Sequence, residues 1–296
     1  MKIKKTLSSR LFDYANYIFL FIVLIITLYP MYYVFLASIS VPLEFVRHRG
    51  LLLLPQGFST ISYELVLQNP NIHVGYRNTL IVVVIATSWS LLLTSFGAYF
   101  LSRKNIMLKR PITLFIIFTM FFNGGIIPFY LTVMNLRINT SLLALILPVS
   151  INTFNLIILR TAFSAVPASM EESAKIDGAG HFTILFRIIL PLTMPTVAVI
   201  ILFYAVQNWN AWFNASIFLR DRNLFPLQLM LREILVQNDT SGMTAMMESN
   251  DQGDTRMVSE TIKYAVIIVA SAPILFLYPF LQKYFVKGVM IGAVKE

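Results

Sequence analysis

Two short runs in this sequence hold side chains whose types and spacing could do chemistry, and they differ in kind. The first is Glu171-Glu172-Ser173-Ala174-Lys175-Ile176-Asp177-Gly178-Ala179-Gly180, a charged island between two very apolar stretches. Ser169 followed three residues later by Glu172 is a capping-box spacing, which predicts a helix starting near Met170. Gly178 or Gly180 supplies the left-handed residue that ends such a helix, and Lys175 suits its C-terminal end. Phe182, Leu185, Phe186 and Ile189 then fall at i, i+3, i+4 and i+7, one apolar stripe of a second helix limited by Pro191 and Pro195. Two short helices with a glycine elbow make a docking device; the bland alternative is a charged loop capping two spans.

The second run is Gln207-Asn208-Trp209-Asn210-Ala211-Trp212-Phe213-Asn214, four amides and two indoles in eight residues. Amides satisfy hydroxyls and an indole packs on the C–H face of a ring, so the mixture suits a sugar. An interfacial aromatic belt accounts for the tryptophans but not for the amides, which are costly to hide in lipid. Asn208 and Trp212 lie four apart and share a helix face, as do Asn210 and Asn214.

Covalent catalysis finds little to work with. No G-x-x-x-x-G-K-[ST] phosphate loop is present, and Gly178-x-Gly180 does not continue into a dinucleotide fingerprint. His48, His73 and His181 form no metal-binding spacing, and the absence of cysteine excludes disulfides and thiolate ligands.

The elements that position both runs are apolar spans. Hydrophobic residues make up 57% of the 296-residue chain and charged ones 12%, against about 25% charged in soluble domains. Six charge-free stretches are long enough for a bilayer: 14–43, 78–102, 111–136, 138–159, 188–219 and 264–282. A helical crossing needs about 20 apolar residues, so six spans are expected, including a fourth over 142–159. With both ends in the cytoplasm, fourteen of the 23 basic residues and five of the 14 acids lie inside, which places the whole net charge of +9 there. The basic balance is therefore a topology signal, and no nucleic-acid recognition pattern accompanies it. Residues 1–13 read as a basic tail, and the first apolar run is too long for a signal peptide. Pro42, Pro55, Gly57 and Pro70 break up an outer segment over 40–77, and 220–262 is a second, polar one. Asn123-Gly124-Gly125 with Pro128 implies a break in the third span, read either as a kink beside a pathway or as close packing through small residues. Span four carries Asn152 and Asn155. Spans nearly free of ionisable groups weaken a proton-driven carrier.

Glu172-Ser173-Ala174, with Gly178 six residues after the Glu and Ile188-x-Leu190-Pro191 beyond, resembles the EAA loop of permease subunits of bacterial ABC importers. That pattern reads E-A-A, three residues, G, nine residues, I-x-L-P; this chain departs from it only in Ser173, which keeps a small residue. Asp177-Gly178-Ala179 and the ending Gln282-x-Tyr284-Phe285-Val286-x-Gly288, continued by Gly292-Ala293-Val294-Lys295, resemble the carbohydrate-uptake branch. Gln56–Ser59 and Gly75-Tyr76-x-Asn78-Thr79 fit the same branch.

The resemblance implies an all-α membrane protein of six transmembrane helices in the type I ABC importer permease fold, with both termini cytoplasmic. It implies a permease domain over 14–296, a docking loop over 167–191, and extracytoplasmic loops over 40–77 and 220–262. Its coupling residues would be Glu172, Ser173, Ala174, Asp177, Gly178, Ala179, Leu190 and Pro191. The pathway residues expected here are Asn208, Trp209, Asn210, Trp212, Asn214, Asn123, Asn152 and Asn155. The implied partners are a second homologous permease, two ATPase subunits, an extracytoplasmic solute-binding protein and the lipid of a bacterial plasma membrane. The chain would be a transport subunit without a cofactor of its own, ATP and magnesium being held by the ATPase. The implied cargo is a complex oligosaccharide such as a pectin fragment; an amino-acid or peptide permease, or an ion-coupled carrier, is the alternative.

Overall fold

The computed structural model describes residues 7–103, 106–236, 240, 243 and 257–276. Among them the chain is helical almost throughout and contains no strand. Three helices are long and apolar enough to cross a membrane: α1 (Leu7–Ser38), α4 (Pro70–Ser102) and α15 (Met257–Phe276). Two bent pairs each satisfy the same test together. They are α5 (Lys109–Phe121) with α6 (Ile126–Asn135), bent by 110°, and 181–192 with α12 (Met194–Trp209), bent by 90°. That gives up to five crossings among the described residues, where six charge-free stretches were expected.

The difference lies at 142–159, which is cut into α7 (Leu143–Ile146) and α8 (Thr153–Ser164). Pro148 has no N–H to donate to the fourth preceding carbonyl, and its ring obstructs a continuing turn. Asn152 then takes the N-cap of α8, where its Oδ1 accepts the Asn155 N–H at 3.2 Å. Other boundaries move outward. α1 starts at Leu7, inside the stretch read as a tail. α4 starts at Pro70 because proline, an obstacle inside a helix, is pre-set for its first residue. The break expected at Asn123-Gly124-Gly125 is present: Gly125 has φ +88°, and its N–H donates to Asn123 Oδ1 at 2.9 Å. The C-terminal signature over 282–295, residues 1–6, 249–253 and most of 239–242 lie outside the described residues.

The chain divides into two units. One comprises 1–70 and 234–271. Its packing centres on Leu36, Ala37 and Leu52, with Tyr264 set edge-on to Tyr33 and Phe45. α1 carries apolar side chains on every face, and apart from its last turn, where Leu36 and Ala37 are buried, its most apolar stretch is uncovered, the pattern of a helix meant for lipid or for another chain. The other unit, 71–233 and 272–296, contains both runs singled out above. Its largest core joins Leu156, Leu159 and Phe163 of α8 to Ala98 and Leu101 of α4 and to Ile200 and Tyr204 of α12.

Candidate coupling site and substrate pathway

The charged island folds into α9 (Ala168–Ile176). It starts two residues earlier than the capping-box spacing predicts, and that box does not form. The N-cap is Pro167 at φ −55°, ψ 133°, with no side-chain bond. The end matches the expectation and selects between the two glycines. Gly178 adopts φ +79°. Its N–H donates to Lys175 O at 3.0 Å, and the Ala179 N–H reaches back to Ala174 O at 2.9 Å. That pair of bonds is a Schellman motif, in which a left-handed residue lets the chain reverse onto its own last turn.

α9 has two unlike faces. Ala174 is buried, and Ala179 packs beside it against the core. Glu172, Ser173, Asp177 and Gly178 are exposed, together with Met170 and with Ile176, which is 86% exposed. Ser173, where the EAA pattern has alanine, thus lies on the open face, and Ala174 holds the close approach to the core.

Beyond Gly180, the chain runs through α10 (His181–Ile184), a π turn (Leu185–Ile189) and α11 (Leu190–Leu192). The buried stripe differs from the expected one. Ile184, Leu185 and Ile189 are buried, whereas Phe182 and Phe186 are exposed and touch Phe96 edge-on. A wider i→i+5 turn, seen in Leu190 N–H to Leu185 O, precedes Pro191. The helix ends one residue beyond it at Leu192, where the chain bends by 90° into α12, so Pro191 marks the limit the sequence predicts. Leu190 is half-buried and Pro191 exposed. This arm and the first turns of α12 share the α4–α8 core, so α9 and α12 are joined through packed side chains as well as through backbone.

A cluster that sequence reasoning missed sits under α9. Arg103, just past the end of α4, forms an ion pair with Glu171, which also pairs with Lys175 at 2.9 Å. Arg103 donates to Ser102 Oγ, and its Cζ lies 4.7 Å from the Tyr99 ring centroid. Burial lowers the Arg103 pKa, yet a guanidinium so placed stays charged. Tyr99 Oη is 3.0 Å from His181 Nδ1. These groups line a cavity of about 490 Å³. The signal available in the sequence was that Arg103 is the first charge after span two; nothing local says that it meets residue 171.

Three of the eight expected pathway residues come together. Trp209, Asn152 and Asn155 line a cavity of about 720 Å³, otherwise mostly apolar, with Gln207 and Phe154. Trp209 is buried, packs edge-on with Tyr76, and its Nε1–H has no partner among the described residues. Asn208 instead turns to α4 and donates to Thr87 Oγ1 at 3.3 Å. Asn210 is exposed and bonds Val206 O of its own helix. Trp212 heads α13 (Trp212–Phe218) with the Arg232 guanidinium 4.5 Å over its ring, and Asn214 is half-buried on the same helix. Asn123 caps the α5–α6 elbow. Tyr204 was missed, though it organises the site: its hydroxyl contacts Thr94 Oγ1 at 2.6 Å and accepts the Asn152 N–H at 3.0 Å. A tyrosine inside an apolar span was the only available sign.

Comparison with known proteins adds the following. The family model described as binding-protein-dependent transport system inner membrane component matches residues 90–291. The chain is 41% identical over 289 residues to the polygalacturonan/rhamnogalacturonan transport system permease protein YtcP of Bacillus subtilis (strain 168), covering 98% of this chain and all of that one. It is 37% identical to protein LplC of the same organism, over 98% of this chain and 97% of that one. Among solved structures, a bacterial ABC transporter involved in import of the acidic polysaccharide alginate has a chain that superposes with a TM-score of 0.86 at 32% identity, over 96% of this chain and all of that one.

Proposed function

Because this chain belongs to the family of binding-protein-dependent transport system inner membrane components, we propose that it uses α9 to couple an ATPase subunit to the import of an oligosaccharide. It is a sugar-import permease subunit, integral to the bacterial inner membrane. The observation that carries the mechanism is the two-faced α9. Its inner face is packed, its outer face offers Glu172, Ser173, Ile176 and Asp177, and the Gly178 elbow leads from it through a packed arm into α12.

In this reading α9 seats in a cleft of the ATPase, where Glu172 meets basic residues. Ile176 and Met170 bury apolar area on docking, about 25 cal/mol per Å². Closure of the ATPases on ATP displaces α9, and the arm passes that displacement to α12, whose far end carries Trp209. ATP and magnesium stay with the partner, so this chain performs no chemistry of its own. Six spans with both termini cytoplasmic put α9 on the ATPase side, and the basic residues concentrated there support that orientation. The α7–α8 region would supply the crossing that neither helix makes alone. A second permease of the same family, two ATPase subunits and an extracytoplasmic binding protein complete the importer.

The cargo is an oligosaccharide of the kind named for the relatives, a pectin-type fragment. Asn152, Asn155, Gln207 and Trp209 offer hydroxyl partners and an indole face along the cavity. Asn208, Asn210, Trp212, Asn214 and Asn123 would contribute when the second permease closes the pathway. The test is co-purification of tagged chain in mild detergent, followed by ATPase assay with binding protein and a saccharide panel. Galacturonan or rhamnogalacturonan fragments should stimulate hydrolysis, and malto-oligosaccharides should not. A chain that purifies without an ATPase, or uptake that collapses with an uncoupler alone, would return the reading to an ion-coupled carrier.

A further inference from the structure

Glu171 and Glu172 are neighbours in sequence and opposites in environment. Glu172 is exposed and makes no ion pair among the described residues, while Glu171 is held between Arg103 and Lys175. The partner that matters is Arg103, because it directly follows the last residue of α4. Tyr99 stands one turn earlier on α4, and its hydroxyl holds His181, the first residue after the elbow. Two residues at one end of α4 therefore grip both sides of Gly178: Arg103 the helix before it, Tyr99 the helix after it. Arg103, Tyr99, Glu171 and His181 all line the 490 Å³ cavity.

The other end of α4 has a grip of its own. Asn78 Nδ2 donates to Asn223 O at 2.7 Å and to Phe225 O at 3.1 Å. Thr79 Oγ1 accepts the Leu227 N–H at 2.9 Å. A Cβ on Gly75 would lie 3.1 Å from Leu227 Cα, so the 223–227 segment is pressed onto the α4 backbone. Between the two grips, from Thr79 to Tyr99, runs an unbroken stretch of α4, a 33-residue helix without an internal proline; the stretch is about 30 Å long at 1.5 Å per residue.

We propose that α4 is a transmission rod whose Arg103–Tyr99 clasp reads the elbow and whose Asn78–Thr79 clasp holds the 223–227 segment, linking the ATPase side to the binding-protein side. This rests on the reading of α9 as the ATPase contact. It adds a second route, parallel to the arm and α12, by which a loaded binding protein signals hydrolysis. Arg103, Tyr99, Asn78 and Thr79 are positioning residues in this scheme; none touches the cargo.

Two grips in series predict a specific failure of independence. Residues this far apart with no shared partner ordinarily contribute independently. If both serve one rod, breaking either end disconnects it, and breaking the second adds nothing. The experiment uses the complete importer in proteoliposomes and measures how far saccharide-loaded binding protein stimulates ATP hydrolysis. Arg103→Gln and Asn78→Ala should each lower stimulation by about tenfold, a mid-range value for loss of one coupled contact. The double variant should match the worse single. A double variant whose losses multiply, or singles that keep full stimulation, would overturn the rod.

Glu171→Gln closes a second cycle with Arg103→Gln: the same non-additivity is expected for the ion pair, and multiplying losses would remove it. If Arg103→Gln does not insert, Tyr99→Phe, which deletes one hydroxyl, runs the same cycle with Asn78→Ala. Failure of the underlying reading looks different, because Glu172→Arg on the open face of α9 would then leave stimulation of the importer intact.

Discussion

Gly178 offers a perturbation whose size follows from its geometry. Its φ of +79° is left-handed, and a Cβ built there would meet nothing within 4 Å. A side chain is therefore excluded by backbone preference and not by crowding within this chain. An L-residue in that region costs about 1–2 kcal/mol, which at about 1.4 kcal/mol per tenfold reduces the elbow's population relative to its alternatives by about five- to thirtyfold. Asparagine enters this region more readily than alanine, and a β-branched residue is the worst case. Uptake of labelled oligosaccharide, normalised to inserted protein, should therefore fall in the order Asn, then Ala, then Val, with Gly178→Asn the mildest. If Gly178 instead matters because the ATPase packs against it, size decides, and Gly178→Asn is worse than Gly178→Ala. That inverted order would refute the conformational argument. Equal uptake by all three would remove the elbow from the mechanism altogether.

Three further outcomes follow from the described contacts. Glu172→Gln and Glu172→Arg should leave insertion and melting within about 0.5 kcal/mol of the parent, as expected for an exposed site, while uptake falls and falls further for Arg; a melting shift of several degrees would instead make Glu172 a folding residue. Tyr204→Phe removes the acceptor of the Asn152 N–H and the contact with Thr94 Oγ1, so thermal stability in detergent should drop by about 1–3 kcal/mol, and an unchanged melt would mean the phenol ties nothing together. Trp209→Phe deletes a buried donor that has no partner among the described residues, so stability should fall by no more than the packing cost of the smaller ring. If the indole N–H serves a sugar hydroxyl during transport, the saccharide concentration for half-maximal uptake should rise by about tenfold, the upper part of the range for a neutral hydrogen bond; an unchanged value would leave Trp209 a packing residue.

The parts of this protein legible in its sequence are those decided within a few residues. The Gly178 end of α9 depends on one residue's access to φ > 0 and two backbone bonds, and the sequence narrows it to Gly178 or Gly180. The break at Asn123-Gly124-Gly125 is local in the same way. Errors arose where one turn altered the phase of the next. The i, i+3, i+4, i+7 count finds Leu185 and Ile189 of the buried stripe, but Phe182 and Phe186 lie outside it and Ile184 joins it. The π turn at Leu185–Ile189 shifts the phase only from Leu185 onward; Phe182 precedes it and lies outward against Phe96 on α4 instead. At 142–159 the absence of charge located an apolar stretch but could not count the turns around Pro148, since hydropathy averages over them.

Polar residues within the spans were harder for a different reason. An amide in a membrane helix must satisfy its hydrogen bonds somewhere, and the nearest donors and acceptors belong to the protein itself. Asn208 meets Thr87, Asn210 its own helix, Asn152 the first turn of α8, and Asn123 the α5–α6 elbow. Type and spacing therefore identify polar groups that the fold must satisfy, and only the remainder is free for a cargo. Trp209 Nε1 belongs to that remainder, a buried donor with no partner among the described residues, on a residue that lines the larger cavity. The same distinction separates Glu171 from Glu172. Adjacent carboxylates on one helix point about 100° apart, so one can be consumed by Arg103 and Lys175 while the other stays open to another chain. What a pathway or docking residue has in common here is an unmet bond, and that is a property of the folded neighbourhood rather than of the residue's type.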